Sequence, residues 1–251
     1  MTCFSGSNGS SLLAPRGLLA AAFLPACGSG AATPDEAGGV ESGATVAPAT
    51  AKRAYAIVRG IDYLPFAYKD DGCFARALHI SMELAAQKIP SSAEFIAGDL
   101  RPPNAMWRFH VAPMLQVSGE NHQTIIDPSL GKAPLPAADW IKLTSPRGEY
   151  NTFWVPGSKC VTLVDLKSSE TYQNVLITSF AELPPFKKSN VQDACQSMWN
   201  ALSWETPEHE ELRPKLIART AQLLTSLEKV AKLTDDMKEA GAFDCAVPRD
   251  Q

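Results

Sequence analysis

Apolar residues recur at helical spacing over residues 73–88, which predicts a helix there. They lie three or four positions apart, as residues on one face of an α-helix do. The apolar set is Phe74, Ala77, Leu78, Met82 and Ala85. Asp70, Asp71 and Gly72 supply residue types that are typical of a helix start. The pattern therefore predicts a helix whose first residue is Cys73.

Residues 107–117 alternate instead, and alternation predicts a β-strand. One predicted face carries Trp107, Phe109, Val111, Leu115 and Val117, and the other carries Arg108, His110, Ala112, Met114 and Gln116. A turn at residues 119–121 leads to a second predicted strand at residues 123–127. The two strands form a predicted hairpin, which would place His110 and Asp127 in one sheet.

The C-terminal part is predicted to be helical from Val191 onward. Near-heptad spacing in residues 208–239 predicts one long amphipathic helix that covers the core, with a partner-binding coiled coil as the alternative. Its apolar positions are Leu212, Leu216, Leu223, Leu227 and Val230. Further strands are predicted at residues 93–97, 152–155 and 160–166, and a short helix at 137–143. Together the elements predict an α+β fold, in which a cysteine-bearing helix packs against a small antiparallel sheet with extra helices behind it.

Residues 1–27 have the pattern of an export signal. They contain no acidic residue, and a short apolar stretch, residues 17–24, follows one arginine. The stretch is too short to span a bilayer but has the length of a signal peptide's apolar region. The sequence Leu24-Pro25-Ala26-Cys27 resembles a bacterial lipobox, which predicts that Cys27 is lipidated. Ordinary cleavage near Ala26 or Ala32 is the alternative, and both predict export, as a bacterial cell-envelope lipoprotein or a secreted protein.

Residues 28–52 are rich in Gly, Ala, Ser, Thr and Pro, and such a composition predicts a flexible linker. The folded part is therefore expected to begin near Ala54. Of all 251 residues, 45% are apolar and 20% are charged, as in an ordinary soluble domain. The net charge of −4, with no long basic run, gives no electrostatic support for nucleic-acid binding.

Four cysteines lie in the predicted mature domain: Cys73, Cys160, Cys195 and Cys245. In an exported protein some of them are expected to pair. If Cys73 stays a free thiol, at most two of the others can pair. We favour Cys195 with Cys245, because both lie in the helical C-terminal part. The spacing of cysteines and histidines matches no zinc site, so no metal is expected.

Cys73, His110 and Asp127 follow one another in the order of a cysteine acyl-transfer enzyme. A thiolate is the nucleophile in such an enzyme, and a helix N-terminus favours negative charge through its free N–H groups and dipole. A nearby His110 could pair with the thiolate, and Asp127 could orient the imidazole from its other nitrogen. Gly72 would leave room for a substrate carbonyl, and the Cys73 N–H would be a natural oxyanion donor.

Other residues compete for these roles. Asp139 and Asp165 are fallback acids, and His122 is a rival base on a strand predicted to be exposed. His79 lies nearly two turns along the cysteine helix, so its ring would not readily reach the sulfur. Arg76 is predicted to pair with a loop acid rather than to bind substrate. Taken alone, each of the candidates also has an ordinary structural interpretation, and the case rests on their combination.

Three segments of the chain resemble those of the bacterial protein-glutaminases, also called protein glutamine deamidases. They are Asp71-Gly72-Cys73-Phe74-Ala75-Arg76-Ala77, His110-Val111-Ala112 and Ile125-Ile126-Asp127-Pro128-Ser129-Leu130. The resemblance implies a core related to papain and transglutaminase, at residues 54–185, and no metal or organic cofactor. Residues 190–251 are then a helical extension with no recognised counterpart in that family.

Residue by residue, the resemblance implies hydrolysis of glutamine side-chain amides in proteins or peptides, giving glutamate and ammonia. Cys73 would attack the amide carbonyl, His110 would protonate the leaving ammonia and later activate water, and Asp127 would orient His110. The partner implied is a polypeptide with an exposed glutamine, and a membrane only through the lipid anchor at Cys27. Transglutamination and peptide-bond cleavage are alternatives with the same three residues. A non-catalytic exported lipoprotein that binds a partner through its C-terminal helices is the alternative from another class.

Overall fold

The computed structural model describes residues 45–67, 72–148, 150–158, 183–205, 210–237 and 243–246. The helices in these ranges are α1 (Pro48–Arg59), α2 (Cys73–Ala86), α3 (Ala137–Thr144), α4 (Lys188–Glu205) and α5 (Leu212–Lys229). The strands are β1 (Thr45–Val46), β2 (Ser92–Leu100), β3 (Trp107–Val117), β4 (Gln123–Ile125), β5 (Leu135–Pro136), β6 (Tyr150–Pro156), β7 (Phe186–Lys187) and β8 (Leu233–Thr234). Within these ranges, no helix has both the length and the hydropathy that a membrane crossing would need.

The main sheet is built on two long central strands, β2 and β3. Five strands form an antiparallel path in the order β5-β4-β3-β2-β6, and β1 pairs in parallel with the end of β3. His110 of β3 lies opposite Ile96 of β2, in the middle of this path. A separate parallel pair, β7 and β8, lies in the C-terminal part.

The two faces of the main sheet pack in different hydrophobic cores. On one face, Phe95, Val111 and Leu115 join the larger core, which also contains buried residues of α2, α4 and α5. On the other face, a smaller core contains Trp140 of α3 and the sheet residues Ile96, Leu100, Ala112, Met114 and Ile125. The cysteine-bearing helix α2 packs against β3, as the sequence predicts. The predicted α+β fold is therefore confirmed.

The predicted alternation along β3 fails at its first residue. Trp107 was expected on the face of Val111, but it packs against the smaller core around Trp140. The register of β2 and β3 shifts between Ala97 and Leu100, opposite the start of β3. The extra residue of this irregularity lies in β2, so the pairing of the two strands is irregular where Trp107 departs from the predicted face.

The predicted boundary between linker and fold is wrong. The linker was expected to extend to residue 52, but β1 begins at Thr45 and α1 at Pro48. A proline is well tolerated in the first turn of a helix, and α1 buries Ala54 and Val58 completely. The predicted signal peptide, the lipidation site Cys27 and the linker residues 28–44 lie outside the described residues.

The predicted C-terminal helix is shorter than expected. Residues 208–239 were predicted to form one helix, but α5 ends at Lys229 and β8 follows. The core-facing prediction holds for Leu216, Leu223 and Leu227, which are all buried. The strand predicted at 160–166 lies outside the described residues.

The C-terminal helices are fastened to α2 by polar contacts and to each other by packing. The expected disulfide between Cys195 and Cys245 is confirmed. Arg219 of α5 donates hydrogen bonds to both carboxylate oxygens of Glu83 on α2, at 2.7 and 2.6 Å, and Tyr63 donates a third at 2.9 Å. Glu83 is buried, so its charge depends on these partners. Helices α4 and α5 therefore form an integral layer of the fold.

Candidate active site

Cys73 is the first residue of α2 and carries a free, partly exposed thiol. Gly72 before it has φ +80°, a left-handed conformation that glycine adopts without a steric penalty. No side chain caps the start of this helix. The N–H groups of the first turn have no intrahelical partners, and the helix dipole adds a positive potential there. The backbone therefore favours an anion at the position of the sulfur.

His110 and Asp127 form a buried hydrogen-bonded pair. His110 Nε2 donates to Asp127 Oδ2 at 2.8 Å, and the two side chains are only 2% and 6% exposed. Asp127 follows β4 closely, and the backbone N–H of Ile126 donates to the Pro113 carbonyl of β3 at 2.8 Å. This pairing of chain segments places the two side chains together, as the predicted hairpin implies.

The thiol and the imidazole line one small cavity together with Asp127. Nδ1 of His110, the ring nitrogen that Asp127 does not use, is buried and has no aligned hydrogen-bond partner among the described residues. The Cys73 sulfur is nevertheless close enough to contribute to a raised pKa of His110. The ring therefore presents one nitrogen to the carboxylate and leaves the other for the thiol.

The surroundings of His110 and Asp127 push their pKa values apart. Burial alone would lower the pKa of His110, but the Asp127 carboxylate, and after it the Cys73 sulfur, reverse this effect and raise the pKa above its usual range. Burial alone would raise the pKa of Asp127, but His110 and two hydrogen-bond donors hold it below the usual range. At neutral pH the geometry therefore favours an imidazolium beside an ionised carboxylate.

Two residues around Asp127 were not predicted from the sequence. Trp140 Nε1 of α3 donates to Asp127 Oδ2 at 2.8 Å. Ser129 donates both its backbone N–H, at 3.0 Å, and its hydroxyl to Oδ1. The Ser129 contacts follow from the sequence pattern Asp-Pro-Ser, because Asp side chains commonly accept a bond from the backbone two residues on. No local pattern indicates the role of Trp140.

Aromatic rings pack against the imidazole. The Trp107 ring stacks on His110 with its centroid 4.5 Å away, and the Trp140 ring lies at 5.5 Å, also nearly parallel. A ring held by such contacts has little freedom to rotate away from Asp127. Trp107, which the sequence pattern places only on one face of a predicted strand, is thus a direct neighbour of the candidate base.

The rival candidates lie elsewhere. His122 is exposed and pairs with Glu120 at 3.3 Å, and Asp139 is exposed beside Lys142. Neither lines the cavity of Cys73. Arg76 is buried and does line it, and its guanidinium donates to the Pro65 carbonyl at 3.4 Å.

Some remaining candidates do not contribute to this cavity. His79 is completely buried in α2, and its ring lies edge-on to Tyr63. Asp165 and the predicted helix-start residues Asp70 and Asp71 lie outside the described residues. Among the described residues, no group of three or more His, Cys, Asp or Glu side chains could hold a metal ion.

Comparison with known proteins finds a family model that matches the segment carrying this cavity. Residues 50–144 match a family model for glutamine deamidases, described as "Glutaminase". The matched segment begins inside α1, contains α2 and α3 and the residues Cys73, His110 and Asp127, and ends before α4. A comparison with curated proteins found no match.

Several solved structures are similar to the chain. A crystal structure of protein-glutaminase is 21% identical, with a TM-score of 0.42, and the match covers 48% of this chain and 77% of that chain. The NMR structure of protein-glutaminase from Chryseobacterium proteolyticum is 22% identical, with a TM-score of 0.42, over 56% of this chain and 86% of that chain. A crystal structure of pro-protein-glutaminase is 24% identical, with a TM-score of 0.40, over 47% and 50%.

The family match supports the class of protein that the sequence predicts, an enzyme that deamidates glutamine. The resemblance to the protein-glutaminases that the sequence predicts is confirmed over residues 50–144.

Proposed function

We propose that this protein hydrolyses the side-chain amide of glutamine in proteins or peptides, with Cys73 as nucleophile, His110 as acid and base, and Asp127 as the residue that orients His110. One observation carries the proposal. A buried imidazole donates from one nitrogen to a carboxylate at 2.8 Å and shares a cavity with a free thiol at a helix N-terminus. These are the three parts that thiol-based acyl transfer needs.

The first half of the reaction forms a thioester. The thiol proton resides on His110, and the thiolate attacks the carbonyl carbon of the glutamine side chain. The developing oxyanion can accept a hydrogen bond from the Cys73 N–H, and one such donor contributes about 3 kcal/mol in comparable enzymes. The C–N bond then breaks, His110 protonates the nitrogen, and ammonia leaves. Cys73 now carries the glutamyl group as a thioester.

The second half regenerates the enzyme. Neutral His110 accepts a proton from water as the water attacks the thioester carbonyl. The C–S bond breaks, the sulfur leaves as a thiolate beside the imidazolium, and the side chain departs as glutamate. His110 thus alternates between its two protonation states, and the Asp127 carboxylate stabilises the charged one.

Asp127 is well suited to this task because it stays ionised. Four hydrogen bonds end on its two oxygens, from His110, Trp140 and, twice, Ser129. Hydrogen bonds to the charged form keep the pKa of the carboxyl low. They also fix the orientation of the carboxylate that accepts from His110 Nε2. The other ring nitrogen, Nδ1, is therefore left to face the thiol.

The compartment we propose is outside the cytoplasm. The pattern of residues 1–27 predicts export, and the Cys195–Cys245 disulfide supports an oxidising environment. A lipid anchor at Cys27 would tether the domain to a membrane through residues 28–44.

The decisive test is deamidation of a glutamine-containing peptide by the purified protein, with the Cys73→Ala variant alongside. We expect ammonia release and the mass increase of one amide-to-acid conversion at glutamine, both lost in Cys73→Ala. A matched peptide with asparagine in place of glutamine measures selectivity, and added lysine peptide reveals transglutamination as a cross-linked product. Equal ammonia release by Cys73→Ala would contradict the proposal, and a shortened peptide would indicate peptide-bond cleavage instead.

A further inference from the structure

We propose that Met198, in the C-terminal helix α4, positions the start of α2 and thereby the Cys73 sulfur. The inference builds on the proposed function, because it assigns a positioning role for that reaction. It concerns a part of the chain beyond the segment that matches the glutaminase family.

The first observation is the close approach of Met198 to Gly72. A Cβ atom built on Gly72 would lie 2.5 Å from the terminal methyl carbon, Cε, of Met198. Met198 is fully buried in the larger core, so its methyl group is enclosed by other protein atoms. Its side chain therefore packs directly against the backbone of the residue before the nucleophile.

The second observation is the conformation at this contact. Gly72 has φ +80°, and it stands where the chain turns into α2. The direction of the first N–H groups of α2, including that of Cys73, depends on this turn. A side chain packed against Gly72 limits how far the turn can relax, so the position of the sulfur depends on it.

The third observation is that α4 itself is held firmly. Cys195 lies one helical turn before Met198 and is joined to Cys245. Arg219 of the neighbouring helix α5 pairs with Glu83, which lies on α2 itself. Helix α5, which packs beside α4, is thus paired with α2, and Met198 of α4 packs against the residue that precedes α2.

The C-terminal layer would then be part of the catalytic apparatus rather than a detachable module. The glutaminase-type segment supplies the reacting groups. Helix α4 supplies the side chain that packs against Gly72 and so keeps the Cys73 sulfur within reach of His110. A helix that contributes no described side chain to the cavity would in this way influence the reaction.

The test compares Met198→Ala with Leu202→Ala. Both residues are fully buried in α4, one turn apart, and both belong to the larger core. Truncating either leaves a cavity and lowers stability, but only Met198 contacts Gly72 in the way described. Urea denaturation defines conditions in which both variants are folded, and all rates are measured there.

We expect Met198→Ala to lower kcat roughly tenfold to a hundredfold with KM unchanged, because a misplaced nucleophile slows the chemistry and leaves substrate binding intact. Alkylation of Cys73 by iodoacetamide, followed by peptide mass mapping, should slow in the same variant. Met198→Leu, which nearly preserves volume, should restore both readouts. Leu202→Ala should keep both close to the wild-type values.

Equal effects of Met198→Ala and Leu202→Ala on kcat and on alkylation would overturn the inference. The alkylation readout does not depend on the substrate. If Cys73→Ala kept its deamidase activity, the proposed function would fail, while the alkylation comparison would still decide whether Met198 positions the thiol.

Discussion

His79 and His110 are both fully buried, yet their surroundings give them opposite properties. His79 lies in the middle of α2, where neither ring nitrogen has a hydrogen-bond partner among the described residues. Burial lowers the pKa of His79 to about 4, although the nearby Glu83 acts in the other direction. His110 lies at the edge of the cavity, where Asp127 and Cys73 raise its pKa despite the same burial. Burial alone therefore keeps a histidine neutral, whereas a hydrogen-bonded carboxylate keeps it protonated at neutral pH.

The difference lies in which carboxylate is available to the ring. Glu83, the acid near His79, already accepts hydrogen bonds from Arg219 and Tyr63. Among the described residues, Asp127, the acid near His110, accepts only from neutral donors besides the ring itself. A carboxylate that is paired with arginine gives little charge to a neighbouring imidazole, so the second region can support proton transfer and the first cannot.

The substitution with the largest expected effect is Asp127→Asn, which removes the carboxylate that distinguishes the environment of His110 from that of His79. The substitution keeps the size of the side chain but removes the charge that holds His110 protonated and correctly oriented, so His110 should behave as His79 does. We expect kcat to fall by roughly a thousandfold to ten-thousandfold, as for the equivalent change in a serine protease triad. The rate of ammonia release gives kcat. The matched control is Asp139→Asn, which changes an exposed acid of α3. Near-normal activity in Asp127→Asn would contradict the assigned role.

The His79 side of the comparison is tested by pH-dependent stability. The unfolded chain binds a proton at His79 near pH 6.5, but the folded state does so only near pH 4. The folded state therefore loses stability as pH falls through this window. In His79→Leu that loss should be absent, a difference of about 3 kcal/mol in the free energy of unfolding by pH 4.

Urea denaturation at several pH values gives this difference. Burial raises the pKa of Glu94 to about 8, so Glu94 makes the folded state more stable as pH falls over an overlapping range. This contribution is the same in both proteins and cancels in the difference. His110 contributes equally throughout the window, because its stabilisation is complete below its unfolded pKa. A constant difference between His79→Leu and wild type would show that His79 is not held neutral.

Arg219→Ala should make the two regions more alike. It leaves the buried Glu83 carboxylate without its cation, which should cost about 2 kcal/mol of stability after allowance for the partly exposed arginine. It should also raise the pKa of His79, because Glu83 is then free to interact with the ring. Thermal unfolding and NMR titration of His79 measure the two effects. Lys215→Ala, at the exposed pair with Asp62, is the control and should change neither.

The smallest expected effect concerns the hydrogen bond that Trp140 donates to Asp127, the partner of His110. Trp140→Phe retains an aromatic ring near His110 but removes the N–H that donates to Asp127. A hydrogen bond to a charged group contributes about 1.5 to 3 kcal/mol, so we expect roughly a tenfold loss of kcat. The pH at which activity declines on the acid side should rise, because Asp127 becomes easier to protonate. An unchanged pH profile would show that Trp140 serves packing alone.

The sequence predicts the parts of this site that short patterns define. The helix start at Cys73, the strand that carries His110 and the strand that precedes Asp127 are each set by local periodicity, and the hairpin brings two of them together. Antiparallel pairing of neighbouring segments needs no long-range information. For this reason the predicted residues share one cavity in the structure.

The parts that could not be predicted depend on contacts between distant segments. Trp140 reaches Asp127 only because α3 packs on the smaller core, and the contact of Met198 with Gly72 joins residues far apart in the sequence. The start of α1 was missed because its small residues resemble those of the linker before it. Burial of Ala54 and Val58, rather than composition, makes that segment a helix.

The proposed reaction requires that His110, unlike His79, is charged at neutral pH and faces a thiol. An NMR titration of the histidine ring nitrogens tests it most directly, with His110→Gln and His79→Gln variants to assign the signals. We expect His110 to be protonated on both nitrogens at pH 7.5 in wild type and to lose this protonation in Asp127→Asn, while His79 stays neutral down to about pH 4. A His110 that titrates at or below its ordinary pKa of about 6.5, as an unpaired imidazole does, would contradict it.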